Sequence, residues 1–378
     1  MYKEAIRPAW AEINLTNLDY NIKEIIKKAD GQEIIGVIKA DAYGHGAEKC
    51  AEVLQENGVK TFAVATLHEG IALRQAGFKE KIVILGLTPS LYADVLVKFD
   101  LTPVVCSYEN AQAISIAAEQ AGKTVSGLVA VDTGMGRIGY LYTEILKAAS
   151  EIKLMEVLPN FNVAGIFSHM ATADAFDKSF AKEQEANFVS FCAALEEEGI
   201  KIPMKTLANS ASIMEIPSIH FDAVRPGIVL YGCYPSDEVN PAELSLKPVM
   251  SIKANIVHIK DVPVGFSVGY GRKFIAERPS KIATITLGYA DGYPRPYSKD
   301  AKVIVGGKLC KIAGNICMDQ CMIDVTDVED VKIGDLVIVM GSDGQLSVTA
   351  DDIAKATGTI NYEICCAFGQ RLPKVYVK

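Results

Sequence analysis

EIIGVIK (residues 33–39) is an apolar run that ends in a lysine, and KADAYGHG (39–46) carries the chain on through a tyrosine, a histidine and two glycines. The run has the length and the Val/Ile content of a buried β-strand. A segment before it places Leu18, Ile22 and Ile25 on one face of a helix. The stretch therefore predicts a strand that delivers Lys39 to one edge of a sheet.

The same alternation of strand-like and helix-like segments continues to about residue 245. The strand-like runs are EIIGVIK (33–39), TFAVAT (61–66), KIVILG (81–86), TPVVC (102–106), SGLVAVD (126–132), VAGIFSH (163–169), MKTLAN (204–209) and AVRPGIVLYG (223–232). Eight such units predict an α/β fold, a (β/α)8 TIM-type barrel over residues 1–245, rather than an open doubly wound sheet. From 246 to 378, short apolar runs alternate with turns rich in Gly, Pro and Asp, which predicts a mainly-β domain.

Composition limits the function classes. A net charge of -8 argues against nucleic acid as the main partner, because phosphate binding needs a basic surface. No run approaches the roughly 18 consecutive apolar residues of a membrane span. The nine cysteines form no CxxC pair, and the five histidines are not at zinc-ligand spacing with them. With no signal peptide in the sequence, we expect a cytoplasmic protein with reduced thiols and no metal.

A barrel carries its chemistry at the carboxyl ends of its strands. Polar residues and glycines stand at those ends in five of the predicted units. They are Lys39, Asp132, His169, Asn209 with Ser210, and Gly227 with Ile228. The sequence therefore predicts that these residues meet at one face.

Each motif also has a simpler interpretation. GMGRIG (134–139) fits the dinucleotide pattern, but it follows the fifth strand of a barrel, so we expect a glycine turn that aims Arg137 inward. Asn209 and Ser210 are common helix caps. With Gly227 on the next loop, however, a phosphate site is favoured, since barrels hold phosphate after strands 7 and 8. A lone His169 is by default a core histidine.

A set of long motifs resembles one known family. KADAYGHG, VDTGMGRIG, SHMATAD, ANSAS, RPGIVLYG, VGYGR, GYADGYPR, ICMDQ and INYEI occur in the order found in alanine racemases, pyridoxal-phosphate enzymes of fold type III. The resemblance runs from about residue 10 to the C-terminus. It implies a head-to-tail homodimer with shared active sites, a small amino-acid substrate (alanine), and D-alanine supply for cell-wall peptidoglycan.

The resemblance also implies roles for individual residues. Lys39 would form the Schiff base with pyridoxal 5'-phosphate, and Tyr270 of the other subunit would be the second base. The cofactor would be held by Tyr43, His169, Asn209, Ser210, Arg225, Gly227, Ile228 and Tyr362. Arg137 and the backbone at Met318 would receive the substrate carboxylate, and Tyr289 would line the same cavity. Asp319 would support that cavity from behind.

The chemistry is consistent with these roles. Removal of the α-proton leaves a carbanion that the cofactor delocalises, and inversion needs proton carriers on opposite faces. Lys39 would serve one face and Tyr270 the other. Arg225 can only donate, so the pyridine nitrogen it faces should be unprotonated. We expect this arrangement to suppress transamination in favour of reprotonation at the α-carbon.

Two positions depart from the family pattern. Ala130 stands where many members have a carbamylated lysine that supports the arginine equivalent to Arg137. Arg137 must therefore find another partner, such as a chloride or a different carboxylate. Asn315 stands where an arginine is common, on what should be the approach channel. The change at Asn315 bears on substrate selectivity or entry rather than on the reaction type.

Three alternatives stay open at this point. A racemase of wider range would also take serine. A fold-type-III decarboxylase should carry a glutamate in the position of Arg225. A non-catalytic pyridoxal-phosphate carrier of the single-barrel type needs neither the second domain nor Tyr270. The sequence leaves open the cofactor affinity, the strength of the dimer and the metabolic direction.

Overall fold

A computed structural model describes residues 7–369 and 371–378. The elements up to residue 224 are β1 (Ala9–Asn14), α1 (Leu15–Ala29), β2 (Glu33–Val37), α2 (Lys39–Tyr43), α3 (Ala47–Glu56), β3 (Thr61–Val64), α4 (Leu67–Gln75), β4 (Lys81–Leu87), α5 (Ala93–Lys98), β5 (Thr102–Val105), α6 (Tyr108–Gln120), β6 (Val125–Asp132), β7 (Tyr140–Leu141), α7 (Ile145–Glu156), β8 (Phe161–Phe167), α8 (Ser179–Glu197), β9 (Lys205–Thr206), α9 (Ser210–Glu215) and β10 (Ala223–Val224).

The remaining elements belong to the C-terminal third of the chain. They are β11 (Met250–Val262), β12 (Ser267–Val268), β13 (Phe274–Ile275), β14 (Ser280–Ile285), β15 (Lys302–Val305), β16 (Lys308–Lys311), β17 (Cys321–Asp324), β18 (Leu336–Ser342), β19 (Ser347–Val348), α10 (Ala350–Thr357), α11 (Asn361–Phe368) and β20 (Lys374–Val377). Short 3-10 turns cover Ser90–Tyr92, Pro217–Ile219, Ile228–Tyr231, Pro241–Glu243, Tyr270–Arg272, Tyr289–Asp291 and Arg295–Lys299.

The first sheet is a parallel barrel. Its strand order among the described residues is β10-β2-β3-β4-β5-β6-β8-β9, and each neighbouring pair is parallel. The ends of the row meet where the Asp222 N–H donates to the Lys205 carbonyl at 3.1 Å and the Arg225 N–H donates to the Ala208 carbonyl at 3.0 Å. The predicted (β/α)8 barrel is thereby confirmed.

Burial follows from this arrangement. Every residue of β3 is buried, as expected of a parallel strand covered by helices on its outer face. Helix α1 buries Leu18, Ile22 and Ile25. Its N-terminus is capped by Asn14, whose side chain accepts from the Asn17 N–H.

The second sheet is mainly antiparallel, and its strand order is β16-β15-β18-β11-β1-β20, with β14, β17 and β19 attached. Strand β1 pairs antiparallel with β11 and parallel with β20. The first described strand therefore lies in the sheet of the C-terminal region, so a cut at residue 245 does not separate the two sheets. The division into 1–245 and 246–378 stays a prediction, and its residues 1–6 and 370 lie outside the described ranges.

One local prediction was wrong. The run at 223–232 is a strand only over Ala223–Val224, and it continues as a 3-10 turn at Ile228–Tyr231. The C-terminal region is mainly β as predicted, and it also contains the short helices α10 and α11. Separately, within the described residues no helix combines the length and the apolar character needed to span a membrane.

Candidate active site

A cavity of about 610 Å³ lies at the carboxyl ends of the barrel strands. Ten of the residues predicted to form the site line it: Lys39, Tyr43, Arg137, His169, Asn209, Ser210, Arg225, Gly227, Ile228 and Tyr362. Nine of them come from barrel units at five different points around the ring, whereas Tyr362 comes from α11. The structure therefore brings the predicted lysine, phosphate and ring-facing groups into one space.

Lys39 begins a short segment of unusual backbone. Ala40, Asp41 and Ala42 have φ of 51, 54 and 55°, and Tyr43 has φ of 53°. All four lie in the left-handed helical region, which costs an L-residue roughly 1–2 kcal/mol. We call Ala40–Tyr43 the left-handed turn. It returns the chain toward the cavity, so that both Lys39 and Tyr43 line it.

Glycine is required immediately after the left-handed turn. A Cβ at Gly44 would lie 2.4 Å from the Cys365 carbonyl oxygen, and one at Gly369 would lie 2.3 Å from the Gly44 Cα. The two glycines let helix α11 approach the turn closely. This contact places Tyr362 beside Tyr43, with ring centroids 6.0 Å apart.

The electrostatic surroundings favour a neutral Lys39 amine. Burial and then the Arg137 guanidinium lower the pKa of Lys39, while the Glu69 carboxylate opposes them. A neutral amine is the form that attacks a carbonyl carbon. Burial raises the pKa of Tyr43 and of Tyr362, so both keep their hydroxyl protons as donors.

Gly227, Tyr43 and Ser210 surround a small space at the end of the barrel. The Gly227 N–H donates to the Ser210 Oγ at 2.9 Å. A Cβ at Gly227 would lie 2.7 Å from the Tyr43 Oη and 3.7 Å from the Ser210 Oγ, so any larger residue would intrude. We call this space the phosphate cradle, because hydroxyl donors and the start of α9 converge on it.

Asn209 has a capping role as well as a place on the cavity wall. Its side chain accepts from the Ser212 N–H at 3.1 Å and from the Ser212 Oγ at 3.0 Å. The simpler capping interpretation is thus confirmed for Asn209. By fixing the first turn of α9, the cap also orients Ser210 toward the cradle.

Arg225 is buried beneath the cavity and is only 4 % exposed. It donates to the Thr206 Oγ1 at 2.7 Å and to the Ser168 carbonyl at 2.6 Å, and its Nη2 lies 3.4 Å from the His169 Nδ1. Since arginine can only donate, His169 accepts at Nδ1 and carries its proton on Nε2. Burial lowers the pKa of Arg225 to about 9, so it remains charged at neutral pH.

His169 is held neutral. Burial, together with the positive charges of Arg225 and Arg137, lowers the pKa of His169 to about 3. His169 is therefore not a general acid at neutral pH in this environment. It is a neutral ring that receives a hydrogen bond from one side and offers an N–H on the other.

The glycines around Arg137 shape a turn rather than a nucleotide loop. The Asp132 carboxylate accepts from the N–H groups of Gly134, Gly136 and Arg137 at 2.9, 3.0 and 3.1 Å. Gly134 and Gly136 have φ of 135 and 70°, which other residues rarely adopt. The turn directs Arg137 to the cavity. Ala130 is buried and carries no group that could pair with it.

Four predicted site residues do not line the cavity of their own chain. Tyr270, Tyr289 and Met318 are 69, 40 and 52 % exposed on the C-terminal region. Hydrogen bonds hold the segments that carry them: the Ala290 N–H donates to the Met318 carbonyl at 3.0 Å, and the side-chain Nδ2 of Asn315 donates to the Tyr270 carbonyl at 2.8 Å. We call this group, with Asp319, the tyrosine patch.

The tyrosine patch rests on a charged network. Asp291 is fully buried and accepts from both Nη atoms of Arg7 at 2.6 and 2.7 Å and from the Arg371 Nε at 2.6 Å. Arg371 also donates to the Asp319 Oδ1 at 2.7 Å. Asp319 thus supports the patch through Arg371. The network fixes the turn that displays Tyr289.

Sequence reasoning missed two residues near Lys39. Glu69 accepts from the Ala40 N–H at 2.6 Å, and Cys366 lines the cavity. The pattern TLHE (66–69) is a capping-box signal that marks Glu69 as a helix-start residue at the second strand end. Cys366 follows Tyr362 by four residues, so it shares a helix face with a residue already assigned to the site.

Comparison with known proteins agrees with this geometry. Residues 13–235 match the family model "Alanine racemase, N-terminal domain", and residues 249–376 match "Alanine racemase, C-terminal domain". The chain belongs to the alanine racemase family. The matches extend over both regions of the chain, including the barrel cavity and the tyrosine patch. Members of this family are pyridoxal-phosphate-dependent isomerases, and the chain is an enzyme of that class.

Several alanine racemases are similar over nearly the full length. One from Clostridium kluyveri is 49% identical over 372 residues, which are 98% of this chain and 95% of that protein. The alanine racemase structure from Clostridium difficile 630 has a TM-score of 0.93 at 41% identity, covering 98% of this chain and 96% of that one. The Bacillus anthracis alanine racemase structure with bound L-Ala-P has a TM-score of 0.92 at 32% identity, covering 98% and 95%.

The residues present fit pyridoxal phosphate. The phosphate cradle has room that a single Cβ would fill, and it lies in the same cavity as the Lys39 amine. Tyr43 and Ser210 would hold the phosphate, and Arg225, which lines the same cavity, would face the ring nitrogen as the family resemblance implies. This donor set, hydroxyl and N–H groups with one reactive amine, matches a phosphorylated aldehyde better than a metal ion.

Proposed function

We propose that the protein interconverts L-alanine and D-alanine by a two-base mechanism with pyridoxal 5'-phosphate held on Lys39. The observation that carries this proposal is that the Lys39 amine and the phosphate cradle share one cavity. When bound, the cofactor supplies an electron sink for the pair left behind by the α-proton. The chain's own residues then only have to place the substrate and move one proton.

Lys39 is the proposed proton carrier on one face of the substrate. Its pKa is lowered by burial and by Arg137, so a neutral amine is available at a pH where an exposed lysine is charged. Lys39 stands at the start of the left-handed turn and lines the cavity. The same amine that holds the cofactor can thus take or return the α-proton.

Tyr270 of a second copy is the proposed carrier on the opposite face. Inversion requires a second group across the substrate from Lys39. Tyr270 does not line the cavity of its own chain and is 69 % exposed, so a partner must bring it there. We therefore propose a head-to-tail homodimer in which the tyrosine patch of one protomer completes the barrel cavity of the other.

The neutral His169 suits this proposal. With Nδ1 accepting from Arg225, its Nε2–H is free to donate to the hydroxyl oxygen of a tyrosine. Tyr270, His169 and Arg225 would then form one polar chain from the substrate to the buried guanidinium.

Substrate binding is assigned to both protomers. Arg137 would pair with the alanine carboxylate from the barrel side, and the Met318 main chain and Tyr289 would close the pocket from the partner. With Ala130 offering no support, the Asp132 carboxylate holds the main chain that carries Arg137.

The alternatives have less support. A fold-type-III decarboxylase should carry a carboxylate facing the ring nitrogen, and the position holds Arg225. A simple carrier has no use for the tyrosine patch. No feature of the cavity favours serine over alanine. The proposed setting is the cytoplasm, where the product would supply D-alanine for peptidoglycan, as the family resemblance implies.

The test is chemical. One sample of the purified protein is mixed with pyridoxal phosphate, reduced with borohydride and digested, and we expect a permanent cofactor adduct on Lys39 and none on the exposed Lys60. A second, unreduced sample is mixed with pyridoxal phosphate and L-alanine, and we expect the circular dichroism signal of L-alanine to fall to the racemic value. An unmodified Lys39, or L-alanine that stays optically unchanged, would contradict the proposal.

A further inference from the structure

The left-handed turn links two functional groups. Lys39 precedes it and Tyr43 ends it, so its shape sets the spacing between the cavity amine and the cradle hydroxyl. Four consecutive non-glycine residues with positive φ do not hold such a shape by themselves. Contacts from outside the turn must therefore stabilise it.

The C-terminal end of the turn is held by several contacts. The His45 Nδ1–H donates to the carbonyls of Ala42 and Tyr43 at 2.9 and 3.0 Å. The Asp41 carboxylate accepts from the Ala47 N–H at 2.7 Å and pairs with the Lys374 amine at 2.8 Å. These contacts fix the end that carries Tyr43.

The N-terminal end of the turn is tied to the next barrel unit by one side chain. The Glu69 Oε1 accepts from the Ala40 N–H at 2.6 Å. The Oε2 of the same carboxylate accepts from the N–H groups of Ala65 and Thr66 at 2.7 and 3.0 Å, which closes the capping box of α4. One oxygen of Glu69 therefore caps a helix, and the other is left for the residue that follows Lys39.

We propose that Glu69 is a positioning residue for Lys39, whose carboxylate holds the left-handed turn so that the amine and the Tyr43 hydroxyl keep the spacing that the cofactor needs. This inference rests on the proposed role of Lys39. It assigns Glu69 no contact with substrate or cofactor. Glu69 acts through the main chain of Ala40, which a helix-capping role alone would not require.

Glu69 also contributes charge near the amine. The charged and titratable groups that face Lys39 are Arg137 and Arg225, which lower its pKa, and Glu69 and Cys366, which raise it. Replacing the carboxylate by an amide leaves the two cations opposed only by Cys366. The free Lys39 amine should then lose its proton at lower pH than in the native protein.

The experiment compares Glu69→Gln with Thr66→Ala in the full-length protein. A glutamine offers only one acceptor oxygen, so it cannot serve both the cap and the Ala40 N–H. Thr66→Ala removes the hydroxyl that the Glu69 N–H contacts at 3.4 Å, but leaves both Glu69 oxygens in place. It is therefore the matched control for a weakened helix cap.

The first readout is amide hydrogen exchange over residues 38–46 in cofactor-free protein. We expect exchange at least about tenfold faster in Glu69→Gln, because a charge-assisted hydrogen bond is lost, and no change beyond about twofold in Thr66→Ala. Equal exchange in the two variants would overturn the proposal. Because no racemisation is involved, a failure of the proposed activity would not alter this result.

The second readout is the pH dependence of pyridoxal-phosphate uptake, followed by absorbance. The rate should rise with pH as the amine becomes neutral, and the midpoint should move to lower pH in Glu69→Gln but not in Thr66→Ala. Glu69→Asp keeps the charge but withdraws the carboxylate by one methylene. Glu69→Asp should speed amide hydrogen exchange over residues 38–46 and leave the pH midpoint of cofactor uptake unchanged. It therefore tests the inference even if the glutamine variant folds poorly.

Discussion

Gly227→Ala gives a direct test of the phosphate cradle. The added Cβ would lie 2.7 Å from the Tyr43 Oη, so the hydroxyl must move away. Tyr43 has little freedom, since its ring packs 5.1 Å from that of Tyr231 and 6.0 Å from that of Tyr362. Loss of one hydrogen bond to a charged phosphate costs about 1.5–3 kcal/mol. The expected result is a roughly 10- to 150-fold weaker affinity for pyridoxal phosphate.

The assay is an absorbance titration of cofactor-free protein with pyridoxal phosphate. Gly127→Ala is the matched control, because its Cβ would meet the Phe161 ring at 2.8 Å on a barrel strand away from the cavity. The control should lower thermal stability without changing cofactor affinity. If Gly227→Ala bound the cofactor as tightly as the native protein, Gly227 would not be part of a phosphate site and the cradle would be wrongly assigned.

Three further predictions follow from the site. Tyr270→Phe should slow α-proton exchange far more from L-alanine than from D-alanine, as deuterium incorporation can show; an equal loss from both would count against two bases. Arg225→Glu replaces a buried donor by a carboxylate, so pyruvate formation by transamination should rise, and an unchanged level would contradict the proposed role of Arg225. Burial lowers the pKa of His45 to about 4, below the ordinary value of about 6.5, so the unfolded chain takes up the proton first as pH falls. The stability from His45 is therefore present above pH 6.5 and lost toward pH 4, and denaturant unfolding should show a decrease of about 2 kcal/mol from pH 7 to pH 5 that is absent in His45→Asn. If the free energy of unfolding fell equally between pH 7 and pH 5 in the native protein and in His45→Asn, His45 would not be buried as described.

The barrel was predictable because its signal is local. Each strand is a short apolar run followed by a helix-like segment, and the polar strand ends met at one face as expected. The pairing of strands that are far apart in the sequence leaves no such local signal. Strand β1 joins β11 some 240 residues later, and nothing in AWAEIN (9–14) distinguishes a barrel strand from an edge of the second sheet.

The left-handed turn shows a second limit of sequence reasoning. Ala40, Asp41 and Ala42 are ordinary residues for a helix or a loop, yet all three have positive φ, and Glu69 and His45 make hydrogen bonds to this segment. Propensity describes a residue in isolation, whereas this conformation is set by its neighbours in space. Lys39 lines the cavity, but the resemblance gave no account of how it is held there.

The candidate site also has a part that the single chain assembles and a part that it does not. Residues on the barrel were brought together within one chain, whereas the tyrosine patch lies elsewhere on the surface. A contact between two copies leaves no periodicity in either sequence. Only the requirement for a second proton carrier leads from Tyr270 to the cavity, which is why the dimer is a proposal here.

Subunit complementation tests the central claim most directly. Lys39→Ala and Tyr270→Phe are each expected to abolish racemisation of L-alanine in separate preparations. When the two chains are mixed and allowed to exchange, a mixed dimer contains one site with both native residues, so roughly a quarter of native activity should return at equal amounts. No recovery, despite mixed dimers detected by native mass spectrometry, would contradict the claim that Lys39 of one protomer and Tyr270 of its partner act on the same carbon.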